Sequence, residues 1–133
     1  REHLVALITA KKLRQAENLA EAERLFLAFW EDDGQRHFRV EEEVLLPTWA
    51  LHGEIDRAGV ARMLEEHLAI RREALRLAAG EASLAEIREL GTLLHDHVRF
   101  EERQLFPLVE EALDDASLDR LAAAIETAET QGA

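Results

Sequence analysis

The sequence predicts an all-α protein, an antiparallel up-down four-helix bundle with a short C-terminal helix. Three observations point there. Good helix formers dominate, with only six Gly and two Pro in 133 residues. The Gly, Pro and capping residues that do occur divide the chain into four long stretches joined by short turns, which makes neighbouring helices antiparallel. The two halves of the chain also repeat one another, each reading as a helix hairpin.

The first helix is expected over about residues 2–16. After a turn at Gln15–Asn18, a long helix should run from about Leu19 to Leu46, where Pro47 ends or kinks it. Trp49 to Gly53 reads as the main break. Asp56 caps a third helix reaching about Ala79, closed by Gly80 in the position where a C-terminal glycine is favoured. Ser83 and Glu86 form a capping-box signature that opens a fourth helix, which should stop near Phe106 at Pro107. Ser117 is expected to start the short tail helix.

The length suits one domain spanning residues 1–133, with enough chain to bury a core. Cysteine is absent, which removes disulfides, thiolate metal sites and cysteine nucleophiles, so any metal must use nitrogen and oxygen ligands. A formal net charge of -12 speaks against nucleic acid or an anionic membrane as partner, since both bind basic surfaces. No apolar run approaches the ~20 residues of a membrane-spanning helix, and no signal peptide is visible. The cytoplasm is the default compartment.

The repeat carries the chemistry. Residues 37–47 read HFRVEEEVLLP and residues 97–107 read HVRFEERQLFP, with His, Arg, Glu, Glu, Leu and Pro in identical places. Upstream, Glu2-His3-Leu4 matches Glu66-His67-Leu68, and Ala10/Ala74 and Leu13/Leu77 stay in register. Positions i and i+4 share a helix face, so His37 and Glu41 reach one point in the core, as do His97 and Glu101. His67 and His97 lie symmetrically about the turn at Gly80–Ser83. The first half is four residues longer between its histidines, which a longer connection or one additional helical turn would absorb. Two such hairpins packed together would gather four imidazoles and two carboxylates in one layer. That donor set suits iron, manganese, zinc or copper rather than calcium or magnesium. Six ligands exceed one tetrahedral zinc and suit two metals, each held by two histidines, with Glu41 and Glu101 bridging at roughly 3.5–4 Å separation.

The order His, H-x-x-x-E, His, H-x-x-x-E, with each carboxylate followed by a second Glu, a Leu and a Pro, resembles the hemerythrin-like (HHE cation-binding) domains over almost the whole chain. The resemblance implies a non-haem di-iron centre, two iron ions with an oxo or hydroxo bridge, that meets oxygen, peroxide or nitric oxide. It carries the ligand role onto His3, His37, Glu41, His67, His97 and Glu101. One position departs from the pattern. Oxygen-carrying hemerythrins place a second histidine four residues after the third-helix ligand, where this chain has Arg71. The departure speaks against reversible oxygen transport and leaves iron binding untouched.

Other polar residues read differently. His95 is two residues from His97 and so about 200° round the helix, facing away from the core. His52 and Asp56 straddle a helix break and read as surface or capping residues. Glu42, Glu43 and Glu102 read first as a solvated face, although Glu42 and Glu102 recur and suit a supporting role beside the ligands. Trp30, Phe26, Phe29, Phe38, Phe100 and Phe106 read as core. Gly34 reads as ligand access or tight packing, and Asp33 and Arg71 as candidates for hydrogen bonds near the site. The E-x-x-H of ferritin-like carboxylate proteins and the H-E-x-x-H of metalloproteases are both absent. The functional expectation is a di-iron protein that senses, scavenges or stores oxygen species, nitric oxide or iron. Its rivals are a di-iron enzyme that disproportionates peroxide or acts as an oxidase, and a metal-free helical interaction module.

Overall fold

A computed structural model describes residues 2–131. Five helical rods and no strand make up the described residues: α1 Glu2–Arg14, α2 over residues 19–52, α3 Arg57–Ala78, α4 over residues 84–112 and α5 Asp115–Gln131. No helix among the described residues is long and apolar enough to cross a membrane. The starts follow the capping chemistry of the sequence. Asn18 and Asp56 accept hydrogen bonds from the backbone N–H groups of Glu21 and Gly59, and Ser83 and Glu86 close a full capping box. Gly80 takes the left-handed conformation that ends α3, at φ 71°.

The two prolines do not end their helices. In a regular α turn the Pro47 ring would strike the carbonyl four residues back. The chain instead widens to a single π turn just before each proline, at Glu41–Leu45 and Glu101–Leu105. The N–H of Leu46 reaches Glu41 O, and that of Phe106 reaches Glu101 O, each five residues back. The rods then continue to His52 and Ala112. Trp49 accordingly lies inside α2 and is 1% exposed; the break begins only at Gly53.

The tail also differs from the reading. Asp114, not Ser117, caps α5, accepting from the Ser117 N–H at 2.7 Å. The helix is 17 residues long and lies against α2, so it is a structural wall rather than a short appendage. The extra length of the first half lies in α2, which begins 18 residues before His37, whereas α4 begins 13 before His97. A further π turn, Trp30–Gly34, falls in that added stretch.

The core has two apolar parts. One gathers Ala10, Leu13, Phe26, Ile70, Leu77 and Leu94, which explains why Ala10/Ala74 and Leu13/Leu77 repeat: all four are buried. The other gathers Leu45, Trp49, Met63, Leu105, Val109 and Leu121. Along α2, α3 and α4 the recurring His and Glu positions fall between these parts, so the polar layer is clamped from both ends. Gly91 lets α1 close on α4, since a Cβ there would stand 2.8 Å from the Ala10 carbonyl and 2.9 Å from the Arg14 nitrogen. Close packing of those two helices brings His3 up to Glu101.

Candidate metal centre

The fold brings all six repeat residues together. Glu41 stands between its own helix and the next, 3.2 Å from His37 Nε2 and 3.0 Å from His67 Nε2. Glu101 does the same from α4, 3.4 Å from the Nε2 of both His97 and His3. The candidate ligand atoms fall into two groups: His3, His37, Glu41 and Glu101, and Glu41, His67, His97 and Glu101. Within each group these atoms lie within 4.8 Å of one another, and both glutamates belong to both groups.

The two groups differ in exposure. The His67 and His97 side chains are 2% and 1% exposed, those of His3 and His37 17% and 20%. Phe38 seals the inner group, stacked on His67 with centroids 3.8 Å apart, while Phe106 stacks on His3 at 5.4 Å. Phe106 is half-buried, packed against the second apolar part of the core.

Each imidazole turns its other nitrogen to a carboxylate. His67 Nδ1 meets Glu42 at 2.7 Å and His97 Nδ1 meets Glu66 at 2.8 Å. His3 Nδ1 lies 3.6 Å from Glu102, and His37 Nδ1 lies 3.7 Å from Glu129. An ionised carboxylate only accepts, so at His67 and His97 it is Nδ1–H that donates, and in the neutral ring the Nε2 lone pair then faces inward, free for a metal. Glu42 is itself held by Arg71, whose Nη2 donates to both its oxygens at 3.1 and 3.0 Å.

Charge balance in this layer is tight. Burial works against a charged imidazole at His97, yet Glu101 and Glu66 hold its pKa up at about 9. Burial also works against the Glu101 carboxylate, but the His3 and His97 imidazoles beside it outweigh that and keep the group well below the usual range. Burial works against the Glu66 carboxylate as well, and His97 and Arg62 beside it still hold its pKa below the usual value. Even so, both Glu41 oxygens, Glu101 Oε2, and the Nε2 atoms of His67 and His97 are buried without a hydrogen-bond partner in good geometry. Buried acceptors left in this way cost several kcal/mol, roughly, unless something else satisfies them. A pair of cations bound by nitrogen and oxygen donors fits that need.

Residues 1–109 match the hemerythrin HHE cation binding domain. The chain belongs to that family. No curated protein and no solved structure matches the chain. The hemerythrin-domain match accounts for cation binding; α5 lies beyond the matched residues.

Several sequence expectations can now be placed. His95 turns outward onto Asp96 at 3.1 Å, His52 is exposed, and Asp56 is a cap. Gly34 serves packing, because a Cβ would meet Phe29 at 2.8 Å. Asp33 pairs with Arg36 at 3.7 Å, and Arg71 reaches Glu42 as described. Two carboxylates that meet these imidazoles, Glu66 and Glu129, are not predicted from the sequence. Glu66 was visible in the repeat, immediately before His67, but was read only as part of the match. Its mate Glu2 has a side chain outside the described residues. Glu129 has no counterpart in either half and gave no signal.

A carboxylate that fixes a ligating imidazole is worth about 10–100-fold in metal affinity in comparable sites. Glu66→Ala should therefore weaken metal binding by that order, measured by chelator competition, with the helical circular dichroism of the protein unchanged. Unaltered affinity would mean His97 is oriented by packing alone.

Proposed function

We infer that this protein is a non-haem di-iron protein that holds two iron ions through His3, His37, Glu41, His67, His97 and Glu101 and handles oxygen, peroxide or nitric oxide. The observation that carries the reading is the pair of overlapping ligand groups sharing Glu41 and Glu101. Bound iron supplies the redox chemistry toward these small molecules. The chain's own residues do the rest. Glu41 and Glu101 offset cationic charge in a layer from which water is largely excluded, and Glu42, Glu66, Glu102 and Glu129 keep the imidazoles turned inward. Phe38 shields His67, so a small molecule reaches the centre from the side of His3 and His37.

Sensing or scavenging fits better than transport. Arg71 stands where a carrier's additional histidine would be, and its guanidinium is engaged with Glu42. With two histidines for each metal, neither iron is set apart as the saturated one. The ferrous protein should therefore oxidise on exposure to oxygen, without recovery when the gas is removed, and nitric oxide or peroxide should change its optical spectrum. Stopped-flow oxygen titration followed by degassing is the test. Release of intact oxygen on degassing would restore the carrier reading, and indifference of the spectrum to all three molecules would remove the small-molecule function.

A further inference from the structure

Beside the candidate centre lies a cavity of about 350 Å3 that its chemistry does not require. Its apolar wall comes from Val40 and Leu45 of α2, Phe106 and Val109 of α4, and Leu121 and Ile125 of α5. His3, His37 and Glu41 also line it, whereas His67, His97 and Glu101 do not. The cavity thus touches the centre on one side only, the side where the imidazoles are partly exposed. Helix α5, which lies outside the residues matched by the family, forms its outer wall and leaves it partly open to solvent.

Size and charge select the occupant. An apolar cavity of about 150 Å3 is enough to hold benzene, and ligand pockets begin near about 300 Å3, so this space far exceeds what a diatomic gas needs. Along most of its wall water would find few hydrogen-bond partners, which favours an apolar guest. The charged groups of the lining are Glu41, Glu110 and Glu129, with no Lys or Arg among them. These carboxylates disfavour an organic anion anywhere on the wall except where bound iron could take it as a ligand. Phe106, stacked on His3, offers a ring face at the junction of cavity and centre.

We propose that this cavity is a binding site for an uncharged apolar organic molecule, about the size of a single substituted ring, held against the His3 and His37 side of the centre. Its position beside iron rests on the functional reading above, while the binding itself does not. Calorimetric titration of the full chain tests it, with toluene on iron-loaded and iron-free samples and with benzoate on the iron-free chain, where no metal can take its carboxylate; iron content and helicity are measured on every sample. Toluene should bind saturably at one site and benzoate should give no saturable heat. Ala122→Phe, at an exposed position on the cavity wall, and Ile125→Trp should each weaken toluene binding by tenfold or more without changing iron content or helicity. Toluene should also shift the iron absorption bands. Non-saturable toluene heat, equal binding of benzoate, or full toluene affinity in both folded variants would overturn the proposal. Saturable toluene binding in a chain that retains no iron after loading would sustain the cavity and count against the iron reading instead.

Discussion

Glu41→Ala and Glu101→Ala should each strip the protein of both metals rather than one. Glu41 lies 3.2 Å from His37 Nε2 and 3.0 Å from His67 Nε2, and Glu101 lies 3.4 Å from both His97 and His3. Each carboxylate is thus common to both ligand groups. Deleting one removes a donor and a negative charge from each position at once, and leaves two imidazoles and one carboxylate per metal. The six-ligand set has no spare: the nearest further carboxylates, Glu42 and Glu66, are committed to the Nδ1 atoms of His67 and His97. Elemental analysis after reconstitution reads the result. Either variant retaining one fully occupied metal would assign that glutamate to a single position and end its bridging role.

The neighbours His95 and His97 should behave as opposites. His97 is 1% exposed, flanked by Glu66 and Glu101, and has its Nε2 turned into the layer. His95 is partly exposed and bonded to the adjacent Asp96. His97→Ala should lose metal and, with it, the stability that metal binding adds, about 4 kcal/mol at a thousandfold excess over Kd. His95→Ala should stay within about 0.5 kcal/mol of the parent, as ordinary surface changes do. Thermal melts with and without iron separate the two effects, because the His97→Ala protein should no longer respond to added iron. A variant pair with the opposite ranking would place the helix in the other rotational phase.

The readable part of this protein was the part written twice. The repeat placed four histidines and two glutamates without any structure, because a metal layer built by two similar hairpins leaves the same residues at the same helical spacing in each. The caps at Asp56 and Ser83 were equally legible, being local chemistry. Pro47 and Pro107 misled, since proline forbids a regular α turn but not the π turn that precedes each one here. Those π turns begin at Glu41 and Glu101 themselves, a coincidence of backbone and ligand that helical periodicity does not register. Glu129 was out of reach for another reason. Its meeting with His37 depends on how α5 folds back along α2, and no local pattern encodes that docking.

A two-iron site in the polar layer has a fixed stoichiometry. The full chain, reconstituted with ferrous iron in the absence of oxygen and freed of excess metal, should retain two irons per chain by elemental analysis. One zinc per chain in place of iron, or no metal retained after reconstitution, would rule out a two-iron layer.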